Sequence, residues 1–407
     1  MTEARKIIFR LLGAQWVAIC FVGVISFFVS VLIARTLGPN LFGTYTTAVS
    51  ISAIASILVD GGFGKLIQRE KTLPSLTIEH STIVRFSFGH VILSATCLMA
   101  LCFFIGQDEP VTLISALLFF SAIAFNQILM AILRGEGRLA REALWQMLNR
   151  LFTASGVVLV VVLGWNLPWH MLVAQLFGAL AFAIVLSRGL ELRPNFSLNW
   201  NIYKIVLPFL WLDLATMVYF RADMVLLAIL KVPSSHVGQY GVAYRLIEAI
   251  MTVSGPIGLL LFRWFRQNTV DPSLISKRLL PSLTISLMVA LFFFILLHFQ
   301  AASLIKLSYG SRFQESSELI SILCWGIIFI IPNSVLSQFL LATGKERHLA
   351  LIATFVAIFN ISGNLLLIPE SGVKGAAWIM VFTELLLMLC LILFLLISTK
   401  NIKSIFK

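Results

Sequence analysis

Leu32-Ile-Ala-Arg35-Thr-Leu-Gly38-Pro39-Asn40-Leu-Phe42-Gly43-Thr-Tyr45-Thr-Thr-Ala48 stands where a first long apolar run stops and a second begins. Arg35 and Thr36 close the run, Gly38-Pro39-Asn40 cannot continue a helix, and Gly43 with Tyr45 opens the next apolar segment. The stretch reads as the turn of a membrane hairpin. About 195 residues later comes Leu227-Ala-Ile-Leu-Lys231-Val-Pro233-Ser-Ser-His-Val-Gly238-Gln-Tyr240-Gly-Val-Ala243. At that offset Leu32, Gly43, Tyr45 and Ala48 fall on Leu227, Gly238, Tyr240 and Ala243, and Pro39 lies one position from the counterpart of Pro233. One design is written twice.

Outward from the hairpin, the chain continues in the same idiom. Of its 407 residues 59% are hydrophobic and only 12% charged, with a mean hydropathy of +0.98, so there is too little polar surface to cover a soluble globule. Twelve candidate spans follow: 11–34, 45–59, 81–105, 111–133, 143–164, 168–187, 203–230, 240–262, 279–299, 317–342, 348–368 and 373–397. The first, 24 residues long, is too long for a signal-peptide core and has no cleavage site after it, so it is expected to remain as a span. The five cysteines all lie inside apolar runs, at spacings that suit neither disulfides nor zinc.

A formal net charge of +12 would suit nucleic acid if it were concentrated, but the basic residues are scattered between the apolar segments. Their placement is a topology signal. With the N-terminus inside, the inner segments hold 21 Lys and Arg, among them Arg134, Arg138, Arg188, Lys277 and Lys345, whereas the outer segments hold five: Arg35, Lys231, Lys306, Arg312 and Lys374. Both termini are therefore expected in the cytoplasm. Six spans separate the two hairpins, so both copies face the same way. The expected architecture is an all-α membrane protein of two six-helix bundles, 1–187 and 203–407, joined by a polar linker at 188–202 and related by a parallel pseudo-two-fold repeat around a central cavity. A second echo, Leu133-Arg-Gly135-Glu-Gly-Arg138 against Ala342-Thr-Gly344-Lys-Glu-Arg347, supports the repeat at an offset of about 209. No expected loop exceeds about 25 residues, which leaves no room for a soluble catalytic domain.

Charges inside spans cost about 2.5–3.5 kcal/mol each on insertion scales and mark candidate sites. Arg85, Arg150, Arg221 and Arg245 fall within spans, as do Asp213, Asp223, Glu248 and Glu384. Arg245 and Glu248 share a helical face and either neutralise each other or line a cavity. Asp213 and Arg221 lie two turns apart, about 80° round the helix, too far to pair directly, so each needs another partner. Arg85 and Arg150 lie near inner span ends, within reach of the interface as well as of a cavity. Asn360 and Asn364 share a face and suit helix-to-helix hydrogen bonds, and the isolated His90 suits packing or proton transfer. No Walker A loop is present, so any uphill work would draw on a proton or sodium gradient through the acidic residues.

Taken together, Arg35-Thr-Leu-Gly-Pro39 and Phe42-Gly-Thr-Tyr45 resemble the signature of Wzx-type O-antigen and polysaccharide flippases, in the superfamily that also holds multidrug (MATE) exporters. Asp60-Gly-Gly-Phe63, Asp223, Val237-Gly-Gln-Tyr240, Ala243-Tyr-Arg245, Leu341-Ala-Thr-Gly344, Asn360 to Asn364, Leu367-Ile-Pro369 and Gly375-Ala-Ala377 leading to Glu384 follow the family pattern in order along nearly the whole chain. Val232-Pro233 departs from it, where many members keep Leu-Gly. The resemblance implies a MATE-like fold in a bacterial cytoplasmic (inner) membrane, alternating access, and movement of an undecaprenyl-pyrophosphate-linked oligosaccharide to the periplasmic leaflet. It also implies a polysaccharide polymerase and a chain-length regulator as partners beside membrane lipids, no cofactor and no catalytic residue. On this reading Arg221, Arg245, Arg85 and Arg150 bind the pyrophosphate, and Asp223, Glu384, Asp213 and Glu248 serve ion coupling or gating. The alternatives are an ion-coupled multidrug exporter of the same fold, which would want an acidic or aromatic cavity, and an O-antigen polymerase or ligase, which would want a large outer loop.

Overall fold

The computed structural model describes residues 3–72, 79–105, 110–186, 193–197, 199–266 and 278–405. Arg188, Lys277, Lys407 and the first part of the 188–202 linker lie outside the described residues. Eleven helices run in order: α1 Glu3–Asp60, α2 Phe63–Thr72, α3 His80–Ile105, α4 Pro110–Gly135, α5 Leu139–Val162, α6 Pro168–Leu186, α7 Trp200–Ile229, α8 Ser234–Arg266, α9 Leu280–Ser308, α10 Ser316–Ala342 and α11 Glu346–Ile405. Nine of the described helices are long and apolar enough to cross a membrane. Two of those nine are broken: Gly38 interrupts α1 with φ 70° and ψ 173°, and Gly372 interrupts α11 with φ 55° and ψ −134°. Counting each as two spans and adding the 33-residue α8, which is also long enough to cross, gives twelve spans.

The chain divides into two compact units, Met1–Arg221 and Ala222–Lys407, with the boundary inside α7. The core of the first gathers Phe63, Leu66, Ile67, Ile83, Phe86 and Ile128, and the start of α7 joins it through Ile202 and Val206. In the second, Phe265, Leu336, Phe339, Leu340 and Leu391 pack together. Both copies of the hairpin belong to these interiors. Ile33, Ala34, Phe42 and Tyr45 are buried in one unit, and Leu227, Val237, Tyr240 and Ala243 in the other.

Chain reversals are built on one hydrogen-bond pattern. At the α4–α5 turn Gly137 N–H donates to Arg134 O and Arg138 N–H to Leu133 O; at α10–α11 Gly344 N–H donates to Leu341 O and Lys345 N–H to Leu340 O. Both glycines sit at φ 73°. This is the left-handed helix cap that satisfies the last carbonyls, and it favours glycine because a Cβ there is strained. The inner-loop echo is therefore real, but its register pairs Gly137, not Gly135, with Gly344. Gly135 instead permits close packing of α2 on α4, since a Cβ there would come within 2.7 Å of the Lys71 side chain.

The α7–α8 turn uses the same cap with a different residue. Lys231 N–H donates to Ala228 O and Val232 N–H to Leu227 O, with Lys231 at φ 56°, the only positive φ outside glycine among the described residues. A side chain in that conformation costs roughly 1 kcal/mol.

The short α2 occupies what reads in sequence as a loop. Phe63, Leu66 and Ile67 recur at helical spacing and are fully buried, while Lys65 and Gln68 stay exposed, so the segment is an amphipathic helix beside the spans.

Candidate functional site

Within the first unit, the expected partner of Asp213 is Lys65: α2 brings its ammonium to 2.5 Å from Asp213 Oδ1 on α7, with both groups partly exposed. Arg221, the last residue of this unit, is half-buried. Arg85 turns to the backbone of the linker. Its Nε donates to Arg193 O at 3.2 Å, and its own carbonyl accepts Asn195 N–H at 2.9 Å, so it ties residues 193–195 to α3. Arg150 is half-buried on α5. His90 is fully engaged. Nε2 lies 3.0 Å from Leu58 O, which can only accept, so Nε2 carries a proton, and Nδ1 lies 3.1 Å from Tyr203 OH. That arrangement makes the ring a clasp between α1, α3 and α7.

Sequence reading missed a buried carboxylate here. Glu142, at the start of α5, is 2% exposed; it pairs with Arg134 at 3.1 Å and accepts from Gln15 at 3.0 Å and Gln146 at 2.9 Å. Gln15 also donates to Leu139 O, so α1, α4 and α5 meet at one charge. The signal available was local: Glu142 and Gln146 stand four apart across the first two turns of a helix that follows a basic turn.

The second unit buries two of the candidate acids. Asp223 is 4% exposed, with Oδ2 accepting the Tyr240 hydroxyl at 2.5 Å and Oδ1 accepting Met224 N–H at 2.7 Å. Glu384, equally buried on α11, accepts from Asn333 Nδ2 at 2.8 Å, and the same amide reaches the Glu384 carbonyl at 2.9 Å. Asn333 follows Pro332 in a helix that runs on through the proline. Beside it Asn364 donates to Asn360, and Asn360 donates to Thr383, joining the two halves of α11 as the sequence spacing suggested. Arg245 and Glu248 are half-buried and pair at 2.9 Å.

Asp213 sits with Lys65, Arg245 with Glu248, Asp223 with Tyr240 and Glu384 with Asn333. Among the described residues no three His, Cys, Asp or Glu side chains are placed to hold a metal ion.

A family model described as "Polysaccharide biosynthesis protein" matches residues 13–269. No curated protein matches the sequence. Among solved structures the chain is similar to the lipid II flippase MurJ in an inward closed conformation, at 15% identity over 94% of this chain and 87% of that one, with a TM-score of 0.76. It is similar as well to a multidrug resistance MATE family transporter of the MOP superfamily in its inward-facing conformation, at 14% identity, 94% and 95% coverage and a TM-score of 0.69. A third is a MOP superfamily transporter from Pyrococcus furiosus described by the reverse polarity of its binding pocket, at 15% identity, 98% and 96% coverage and a TM-score of 0.64. At these identities the likeness is one of fold. The chain belongs to the polysaccharide biosynthesis protein family, as a multi-pass membrane protein with the all-helical fold of MATE transporters and the lipid II flippase.

Proposed function

We propose that the protein is a flippase that moves an undecaprenyl-pyrophosphate-linked oligosaccharide from the cytoplasmic to the periplasmic leaflet by alternating access, in the assembly of O-antigen or another surface polysaccharide. The observation that carries the reading is the set of half-buried guanidinium groups on membrane-spanning helices, Arg150, Arg221 and Arg245, in a chain of this family. A pyrophosphate is a dense anion, and a planar donor fork in a partly desolvated setting is the group that binds it with direction. Arg85, engaged with the linker backbone, acts by holding α3 in place. Asp223 and Glu384 are the acids suited to coupling or gating, because each is buried and held by a neutral donor that a proton or sodium ion would compete with. Asp213 and Glu248, already paired with cations, serve as latches. The excess of Lys and Arg in alternate loops supports an inner-membrane orientation with both termini in the cytoplasm, and a polymerase and chain-length regulator would take up the product.

Replacing Arg221 with Ala tests the reading in cells. The expected result is loss of surface polysaccharide and accumulation of the lipid-linked intermediate while the protein still inserts. Normal polysaccharide with a normal intermediate pool would contradict it.

A further inference from the structure

At one end of the second unit, the α7–α8 turn, the head of α10 and the break in α11 surround a hollow of about 660 Å³. That volume is in the range of small-ligand sites. Its rim is polar in both senses. Glu315 lies 3.5 Å from His236, and Glu318 lies 2.9 Å from Lys374. Ser371 adds a hydroxyl. Beneath them Val232, Leu319, Ile368 and Val373 make an apolar lining.

The rim is also held rigid. Gln239, 5% exposed, donates to Arg312 O at 2.9 Å and accepts Ser316 N–H at 3.1 Å, which clips α8 to the start of α10. Lys231 stands apart from the other charges. It is exposed, lines the hollow, and has no ion-pair partner among the described residues. It also occupies the left-handed cap position that the other described reversals of this type give to glycine, and strain of this kind clusters at functional sites.

We propose that this hollow binds a saccharide unit, with the Lys231 ammonium as its orienting donor. Sugar hydroxyls both donate and accept, so they suit a rim of ammonium, carboxylate and hydroxyl groups, while the C–H faces of the ring suit the apolar lining. A bare anion would meet two carboxylates, and an apolar ligand would strip water from five ionisable groups. The source of the sugar rests on the transport reading: it is the oligosaccharide of the lipid-linked cargo. On the topology that the basic loops predict, this end faces away from the cytoplasm, where the cargo is delivered.

The test uses full-length protein in nanodiscs and, as probe, the lipid-free oligosaccharide released by mild acid from the cells' own lipid-linked intermediate. Binding is read by saturation-transfer NMR for the wild type and for Lys231→Gly. Glycine suits the left-handed cap, so the variant folds and its loss of binding reports the ammonium alone. The expected result is saturable binding by the wild type and at least tenfold weaker binding by Lys231→Gly. Equal binding by the two, or none by the wild type, overturns the site; so does inorganic pyrophosphate displacing the saccharide with the same dependence on Lys231. Translocation of the intact lipid-linked form, assayed separately in liposomes, reports the transport reading. Its failure beside Lys231-dependent saccharide binding would overturn that reading and leave the site standing.

Discussion

In the first copy of the hairpin Tyr45 accepts a hydrogen bond from Gln175 at 3.1 Å; in the second, the matching Tyr240 donates its proton to Asp223 at 2.5 Å. The first copy breaks at Gly38, in a backbone region open to glycine, whereas the second turns through a left-handed Lys231. The backbone course and the apolar interior repeat, since burying the same helix face requires the same spacing of Leu, Gly and Tyr. Polar chemistry is under no such constraint. The second copy carries a buried carboxylate, Asp223, and a left-handed lysine, Lys231, where the first has Phe28 and Thr36 at the same offset, which places the candidate coupling and sugar-binding chemistry in Ala222–Lys407.

Substitution at the paired tyrosines and at the two turns sharpens or breaks this contrast. The largest effect is expected for Tyr240→Phe, which strips the donor from a buried carboxylate and should lower stability by about 3 kcal/mol. Gly38→Ala comes next, at about 2 kcal/mol, because a Cβ in that backbone region is strained wherever it points. Tyr45→Phe removes a neutral bond inside a helix bundle and should cost about 0.6 kcal/mol. Opposite in sign to the other three, Lys231→Gly should raise stability by up to roughly 1 kcal/mol by relieving the cap. Thermal unfolding in one detergent reads all four; equal shifts for Tyr240→Phe and Tyr45→Phe would erase the distinction between the copies.

The helical course of this fold was legible because it is written in apolar run lengths and in Gly-Pro punctuation, which are local. The hairpin at Gly38 and the caps at Gly137 and Gly344 belong to that class, although the exact glycine at the inner turn is settled only by which carbonyls it must satisfy. The short α2 was missed because ten residues rich in Lys and Arg read as a loop unless the spacing of Phe63, Leu66 and Ile67 is followed. Site pairings were legible only at helical spacing. Arg245 with Glu248 and Asn360 with Asn364 lie one turn apart and were visible, but Lys65 meets Asp213 across 148 residues and Asn333 meets Glu384 across 51. Such contacts depend on tertiary packing, which spacing along one helix does not encode.

The central claim is translocation, and purified protein in liposomes tests it most directly. With lipid-linked oligosaccharide in the inner leaflet and a membrane-impermeant lectin outside, the wild type should expose sugar well above the rate of protein-free liposomes, and Arg221→Ala should slow this at least tenfold. Exposure by the wild type at the protein-free rate would contradict the account.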